Sequence, residues 1–203
     1  MEHYFTNNPD LKSEPKYIEA TFSSHKFNFK TDNGVFCKNY LDEGSNALLK
    51  VVLKKDIHGR NLDVGCGYGP IGGILAYFNP HADFTLLDVN ARACALAREN
   101  MKLNGINNAT VIESNIYENV EGDFDNIFIN PPIRAGKKVI YQMFADAYNI
   151  LKPNGSLYIV IRKSHGAESA QKYIASIFNN CELLKRDKGY YIYEAIKKEP
   201  NNL

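Results

Sequence analysis

Short apolar runs alternate with longer amphipathic segments along most of the chain after residue 60. The short runs are rich in β-branched and aromatic residues and are bounded by Gly, Pro, Asn or Asp, as strands usually are. They begin at Asn61, Asp83, Ala109, Asp123 and Gly155, and helical patterns follow Pro70, Asn90, Gly136 and Gly166. Because strands joined through crossover helices run parallel, this alternation predicts an α/β fold with a doubly wound sheet.

The two ends of the chain depart from this alternation. Residues 181–186 and 190–197 are strand-like and flank Asp187-Lys188-Gly189, which predicts a hairpin with a terminal antiparallel strand. Residues 18–22 and 26–30 are two further strand-like runs, which predict a small hairpin or lid. We expect a single domain in which residues 1–53 form a hairpin and helix extension packed on a core of residues 54–203.

Short polar motifs predict where several helices begin and end. Asn90 is a good N-cap for the helix from residue 91, and Asn104-Gly105 is a good stop signal for it. Lys152-Pro153-Asn154-Gly155 is expected to close the helix before the fifth strand. A helix over residues 46–53 is expected to have Ser45 or Asp42 as its cap, and contact of this segment with a bound ligand is the alternative.

A glycine-rich turn follows the strand that begins near Arg60. Gly65, Gly67 and Gly69 would let the backbone approach a ligand closely, and Pro70 suits the first position of the next helix. Asp88 ends the following strand, 19 residues past Gly69 and near the ~20 expected for a residue that binds ribose hydroxyls. The pattern predicts a nucleotide-type pocket.

The spacing of the glycines narrows the choice of nucleotide. It differs from the Gly-x-Gly-x-x-Gly that seats a pyrophosphate, and Asp63, just before the turn, would repel phosphates. A carboxylate there favours a ligand with an ammonium or sulfonium group, and S-adenosylmethionine carries both. NAD is the second choice, and a plain strand-to-helix turn is the structural alternative.

Asn130-Pro131-Pro132 follows an apolar run that predicts a central strand. Ligands of open α/β sheets bind at the carboxyl ends of strands. Successive prolines withhold backbone donors, so the carbonyls of Asn130 and Pro131 are expected to accept hydrogen bonds from an incoming NH2 group. Asn130 would aim the amine lone pair at a methyl carbon, and its dipole would stabilise the positive charge that develops on nitrogen. An ordinary strand exit is the alternative.

Composition limits the classes of protein that fit. A length of 203 residues suits one domain, and a net charge of +1 gives no global attraction to nucleic acid. No apolar stretch approaches the ~18 residues of a membrane span, and we expect a cytoplasmic protein that does not bind membranes. Cys37, Cys66, Cys94 and Cys181 are scattered, so neither a disulfide framework nor a metal site is expected.

The chain resembles the class I S-adenosylmethionine-dependent methyltransferases, and within them the small-subunit ribosomal RNA guanine-N2 methyltransferases of the methyltransferase C type. The resemblance covers nearly the whole chain. Beyond the two sites, it rests on Asn33-Gly34-Val35-Phe36-Cys37, Leu41-Asp42-Glu43-Gly44-Ser45, Asp88-Val89-Asn90, Asn100-x-x-x-Asn104-Gly105 and Ser114-Asn115-Ile116-Tyr117-Glu118. It implies a Rossmann-like, seven-stranded methyltransferase sheet, of which the terminal antiparallel hairpin is typical.

The resemblance also implies roles for residues. Asp63, Gly65, Gly67 and Gly69 would hold the methionine end of S-adenosylmethionine, Asp88 its ribose, and Asn115 with Ile116 its adenine. Asn130, with Pro131 and Pro132, would orient the target amine. Asn115 departs from the aspartate of many relatives, and Ile133 stands where adenine-N6 and glutamine-N5 methyltransferases usually carry an aromatic residue.

Basic residues follow two of the predicted strands. Arg134, Lys137 and Lys138 come after Asn130, and Arg162, Lys163 and His165 come after the fifth strand. Because both groups should emerge at the sheet edge that holds the methyl group, Ile133, Arg134, Lys137 and Arg162 are expected to bind ribosomal RNA or the small ribosomal subunit. Solvated loop charges are an equally good interpretation.

Three hypotheses therefore compete. The first is methylation of guanine N2 in small-subunit ribosomal RNA. The second is a protein glutamine-N5 methyltransferase, which would lack the basic rim and favour an aromatic residue in place of Ile133. The third is a non-catalytic module that binds the cofactor, and an intact Asn130-Pro131-Pro132 argues against it.

Overall fold

The computed structural model describes residues 12–35 and 39–199. Phe36 and Cys37 lie outside the described residues, as do residues 1–11 of the predicted extension. Within the described residues, nine strands and five α-helices form in the order β1 (Lys16–Phe22), β2 (His25–Thr31), α1 (Glu43–Val52), β3 (Arg60–Val64), α2 (Pro70–Phe78), β4 (Asp83–Asp88), α3 (Ala91–Leu103), β5 (Ala109–Glu113), β6 (Phe124–Ile129), α4 (Lys137–Ile150), β7 (Leu151–Arg162), α5 (Ala167–Phe178), β8 (Glu182–Asp187) and β9 (Tyr190–Ile196).

Seven strands form one sheet in the order β5-β4-β3-β6-β7-β9-β8. Pairing is parallel from β5 to β7, whereas β9 runs antiparallel to both β7 and β8. The predicted seven-stranded, mostly parallel sheet with a terminal antiparallel hairpin is confirmed. The order of connection reverses between β3 and β6, and this is where open α/β sheets bind ligands.

Helices cover both faces of the sheet, as the side chains of the central strands show. Along β6, Phe128 joins the hydrophobic cluster under α1, α2 and α3, whereas Ile127 and Ile129 join the cluster under α4 and α5. Along β7, Tyr158 and Val160 alternate with their neighbours in the same way. Strands buried on both faces explain why these segments are continuous apolar runs and not alternating ones.

The predicted caps of two helices are confirmed. Asn90 caps α3, because its Oδ1 accepts hydrogen bonds from the backbone N–H of Arg92 and Ala93 at 3.0 and 3.2 Å. Asp42 caps α1, which begins three residues earlier than predicted. Of the helices in the described part of the chain, none combines the length and the apolarity needed to cross a membrane.

The segment before the fifth strand differs from its prediction. Helix α4 ends at Ile150, but β7 already begins at Leu151, which pairs with Phe124. The expected turn residues form an irregularity inside this strand, where Asn154 has a φ of 65° and its N–H donates to Lys197 O at 2.6 Å. Pairing with both neighbouring strands keeps the segment extended despite its turn-like sequence.

The N-terminal strand-like runs form the hairpin β1–β2, which turns at Ser23-Ser24 with φ values of 46° and 64°. Its second strand lies against α3. Asn100 Oδ1 accepts from Lys30 N–H at 2.7 Å, and Asn100 Nδ2 donates to Lys30 O at 2.9 Å. Asn104, one helical turn later, makes the same pair of bonds to the peptide groups of Asn28 at 3.1 and 2.8 Å. The predicted domain boundary at residue 53 stays a prediction.

Asn100 also reaches the glycine-rich turn, because its Nδ2 donates to Tyr68 O at 2.8 Å. We expect Asn100→Ala to lower the free energy of unfolding by about 2–4 kcal/mol, since three backbone groups lose their partner. Asn104→Ala is the matched control and should cost less, about 1 kcal/mol, because its two bonds to Asn28 are exposed to water and its third, to Asn100 O, is only partly buried. Urea denaturation measures both variants, and an equal loss would contradict the buried role of Asn100.

Asp63 joins β3 to α2 beneath the glycine-rich turn. Its Oδ2 accepts from Gly72 N–H at 2.8 Å, in the first helical turn, where backbone N–H groups have no helical partner. A Cβ on Gly72 would lie 2.7 Å from Leu86, so the helix approaches the sheet closely here. No described residue hydrogen-bonds Asp63 Oδ1. Burial raises the pKa of Asp63 to about 7, with the charge of Asp88 adding to it and the Gly72 bond opposing it.

This raised pKa predicts a pH dependence of stability. The folded state holds a proton on Asp63 up to about pH 7, whereas the unfolded chain releases it near pH 4, so the free energy of unfolding should fall as pH rises between these values. Asp63→Asn keeps the acceptor for Gly72 and removes the titration. Between pH 5 and pH 7, wild type should lose about 2–3 kcal/mol relative to the variant. Parallel profiles in urea denaturation would refute this.

Candidate active site at the carboxyl edge of the sheet

A cavity of about 800 Å³ lies at the carboxyl edge of the sheet, around the point where strand order reverses. Its volume falls within the roughly 300–1,000 Å³ of small-molecule sites. The loops after β3, β4, β5, β6 and β7 line it, together with the start of α1 and the start of β9. The structure therefore brings both motifs of the sequence, the glycine-rich turn and Asn130-Pro131-Pro132, to one cavity.

The glycine-rich turn forms one wall of the cavity. Gly67 has a φ of 57°, and a Cβ built there would have no atom within 4 Å, so this backbone faces open space. Gly69 has a φ of 91° but faces the protein, since a Cβ there would lie 3.2 Å from Ala97. Gly65 and Gly67 line the cavity, whereas Asp63 and Gly69 lie behind the turn and support it.

Asp88 lies at the end of β4 and connects two loops of the cavity. Its Oδ2 accepts from Gly67 N–H at 2.8 Å, and its Oδ1 accepts from Asn90 N–H at 2.9 Å. Burial raises the pKa of Asp88, and these backbone N–H groups oppose the rise. The carboxylate is thus fixed in orientation at the cavity wall, where its oxygens can accept hydrogen bonds from ligand hydroxyls.

Asn115 and Ile116 line the same side of the cavity after β5. Ile116 has a φ of 51°, and its carbonyl accepts from Ser114 Oγ at 3.0 Å, which holds the turn in place. Asn115 Nδ2 donates to Glu118 Oε1 at 2.7 Å, and the amide oxygen of Asn115 is the acceptor that its side chain offers. Ser114 also lines the cavity, although sequence reasoning gave it no role.

Asn130 follows β6 directly and lies at the centre of the cavity wall. Its Nδ2 donates to Asp42 Oδ1 at 3.0 Å and to Ser45 Oγ at 3.1 Å. Within residues 12–35 and 39–199, no hydrogen bond is made to Asn130 Oδ1. Pro131 and Pro132 continue the wall, and a short 3-10 turn begins at Ile133. The arrangement presents an amide oxygen that can accept a hydrogen bond.

The predicted basic residues divide into two groups. Arg134 and Arg162 line the cavity near Ile133, which is 37% exposed at its mouth. Lys137 does not line it, because its ammonium lies over the ring of Tyr141, 4.9 Å from the centroid. His165 belongs to the cavity group, whereas Lys138 and Lys163 do not.

Three wall residues make contacts in the cavity that sequence reasoning did not predict. Asp42 and Ser45 were expected as helix caps, and in the structure both contact Asn130. Tyr190 was expected only as the start of a strand, and its half-buried ring lines the cavity with its centroid 5.5 Å from the guanidinium carbon of Arg162. The family-specific motif around Gly44 was the available signal for the first two residues.

Cys66 lies in the glycine-rich turn but has no features of a nucleophile. Burial raises the pKa of its thiol well above the ordinary value, and the charges of Asp88 and Asp63 add to the effect. Its Sγ donates to Gly67 O at 3.5 Å. Across the described ranges, no group of three or more His, Cys, Asp or Glu side chains could hold a metal ion. The described side chains of the site are therefore suited to bind and orient ligands, and Cys66 is not suited to attack them.

Comparison with known proteins gives matches over nearly the whole chain. The profile of a family described as "Methyltransferase small domain" matches residues 26–194. A Bacillus subtilis relative named "Uncharacterized protein YbxB" is 40% identical over 198 residues, which cover 97% of this chain and 98% of the relative. The shared length means that this relative has the same extent as the present chain.

Longer relatives carry a functional name. "Ribosomal RNA small subunit methyltransferase C" of Photorhabdus laumondii is 34% identical over 169 residues, which cover 81% of this chain and 48% of the relative. The chain thus spans about half the length of these relatives. A solved structure titled "T. Thermophilus 16S rRNA N2 G1207 methyltransferase (RsmC) in complex with AdoMet and Guanosine" matches with a TM-score of 0.83 at 22% identity, over 94% of this chain and 52% of that one. The fold, the family profile and the relatives agree that the chain belongs to the methyltransferase small domain family.

Proposed function

We propose that this protein transfers a methyl group from S-adenosylmethionine to an exocyclic amine, guanine N2 in small-subunit ribosomal RNA. The observation that carries the proposal is the amide oxygen of Asn130, which is held in the same cavity as the glycine-rich turn and Asp88. The names of the longer relatives support the substrate, and the family supports the reaction. Because ribosomal subunits are cytoplasmic, the proposal places the protein in the cytoplasm.

The wall residues fit S-adenosylmethionine. The open backbone at Gly65 and Gly67 would contact its methionine end, and Asp88 would accept hydrogen bonds from its ribose hydroxyls. Asn115 and Ile116 would hold the adenine, with the amide oxygen of Asn115 as acceptor for the adenine amino group. Asp63 and Gly69 would act from behind, by fixing the turn against α2 and α3.

The proposed mechanism depends on orientation, since the lone pair of a guanine N2 amine is delocalised into the ring. When bound, the cofactor supplies a methyl group on a positively charged sulfur. Asn130 Oδ1 would accept a hydrogen bond from the amine and turn its lone pair toward the methyl carbon. A new N–C bond would replace the C–S bond of the methyl group, and the amine proton would leave to water. The amide dipole of Asn130 would stabilise the positive charge on nitrogen during this transfer.

The outer part of the cavity supports an RNA substrate. Arg134 and Arg162 place two guanidinium groups beside the loop that holds Asn130, where they would contact phosphates. Ile133 offers no aromatic surface to the target base, whereas the ring of Tyr190 lies on the same cavity wall. We therefore propose ribosomal RNA or the small ribosomal subunit as partner, with the base held by Ile133 and Tyr190.

The first experiment is transfer of labelled methyl groups to small ribosomal subunits and to deproteinised ribosomal RNA. Both substrates should come from cells that lack this protein, and the nucleosides are then analysed. Label in N2-methylguanosine supports the proposal. Label in a glutamine side chain of protein would establish the glutamine methyltransferase instead. Cofactor binding without transfer to RNA or protein would establish a non-catalytic module.

Asn130 and Asp88 should affect different steps of the reaction. We expect Asn130→Ala to lower turnover by about 100-fold or more, as for other groups that act mainly in the transition state, and to leave cofactor affinity within about 2-fold. Asp88→Ala should weaken cofactor binding by roughly 10- to 100-fold, because charge-assisted hydrogen bonds are lost. Calorimetric titration and steady-state kinetics separate the two effects. Equal loss of affinity in both variants would contradict these roles.

A further inference from the structure

Asp42 has two hydrogen-bonding partners that are far apart in sequence. Its Oδ1 accepts from Ser45 N–H at 3.1 Å, which caps helix α1, and from Asn130 Nδ2 at 3.0 Å. Asp42 is 8% exposed, and its backbone is extended just before the helix. One buried oxygen therefore connects the start of α1 to the loop that follows β6.

This contact determines which way the Asn130 amide points. A primary amide can rotate by half a turn about its last bond, which exchanges the positions of its oxygen and its NH2 group. An ionised carboxylate can only accept hydrogen bonds, so Asp42 selects the rotamer in which Asn130 Nδ2 faces it. The opposite rotamer would place Asn130 Oδ1 against the carboxylate and present NH2 to the cavity, where a target amine needs an acceptor.

Ser45 supplies a second acceptor for the same NH2 group. Its Oγ lies 3.1 Å from Asn130 Nδ2 and its side chain is 3% exposed. A hydroxyl can donate as well as accept, so Ser45 alone would tolerate either rotamer of Asn130. Asp42 is thus the residue that selects the orientation, and Ser45 satisfies the remaining N–H.

The residue between them leaves room for the contact. A Cβ built on Gly44 would lie 3.0 Å from Asp42 Oδ1, 3.1 Å from Tyr190 Cε1 and 3.4 Å from Asn130 Nδ2. These distances are at or below ordinary contact, so a larger residue would push the three groups apart. Asp42 and Ser45 therefore provide the two acceptors for Asn130 Nδ2, and the missing side chain of Gly44 leaves the space that this contact needs.

We propose that Asp42 is a positioning residue for methyl transfer, which acts by holding Asn130 Oδ1 toward the target amine with Ser45 as a second support. The effect of Asp42 on catalysis rests on the proposed function. Its structural content, the fixed orientation of the Asn130 amide, is independent of the substrate.

Asp42→Ser is the sharpest test, because serine is as good an N-cap as aspartate and should preserve helix α1. Its hydroxyl can donate as well as accept, so the orientation of the Asn130 amide is no longer selected. We expect turnover to fall roughly 10- to 100-fold, while cofactor affinity and the unfolding midpoint stay close to wild type. Ser45→Ala should give a smaller fall in turnover. Glu43→Gln, in the same first helical turn but half exposed and directed at Lys188, is the control and should keep full turnover.

A second readout needs no activity. In a ¹⁵N-labelled sample, the side-chain NH2 signals of Asn130, identified by their loss in Asn130→Ala, should exchange slowly with water and should shift in Asp42→Ser but not in Glu43→Gln. In the Asn130→Ala background, Asp42→Ser should cause no further loss of turnover. Both results support the proposal.

The outcomes separate the two proposals. Wild-type turnover in Asp42→Ser, or unchanged Asn130 signals, would overturn the positioning role even if RNA is methylated. If wild type methylates neither RNA nor protein, the proposed function fails. A shift of the Asn130 signals in Asp42→Ser would then still support the orientation, and its absence would overturn that as well.

Discussion

The site depends on one constraint of the sheet, which is that neighbouring parallel strands β3 and β6 send their chains to opposite faces. Helix α2 packs in one hydrophobic layer and α4 in the other, so the loops that precede them diverge. The divergence leaves a crevice between the glycine-rich turn and the loop of Asn130. Asp88, from the adjacent β4, borders the same crevice.

Acidic and basic side chains occupy different parts of the cavity. Asp88 lies at the inner wall and Asp63 lies behind it, each with a pKa raised by burial. Arg134 and Arg162 lie at the outer part with His165. A net charge of +1 for the whole chain conceals this separation. A cationic cofactor would favour the ionised forms of these inner carboxyl groups, and a basic rim suits a polyanion, so the distribution of ionisable groups is more informative than the net charge.

The sequence predicted those features that depend on neighbouring residues. Apolar runs between amphipathic segments predicted the strands, and Asn90 and Pro70 predicted the starts of two helices. The positions of Asp88 and Asn130 at strand ends indicated that both line the cavity. Each of these inferences used a pattern within a short stretch of the sequence. The parallel arrangement then followed, because crossover connections leave little choice of topology.

Features that depend on distant parts of the chain were missed. The contact of Asp42 with Asn130 joins residues 88 positions apart, and no local pattern distinguishes a cap that also orients another side chain. Lys137 differs, because its ammonium lies over the ring of Tyr141 four residues along the same helix, a local contact that the sequence analysis did not consider. The early start of β7 depends on pairing with Phe124, which its turn-like residues do not suggest.

The two asparagines of α3 have a consequence for the small sheet. The outward peptide groups of Asn28 and Lys30 are satisfied by side-chain amides, which reproduce the pair of bonds that a neighbouring strand would make. An exposed strand edge can recruit another chain and lead to aggregation. Because Asn100 and Asn104 occupy this edge of β2, the hairpin cannot grow there, and a helix takes the place of a third strand.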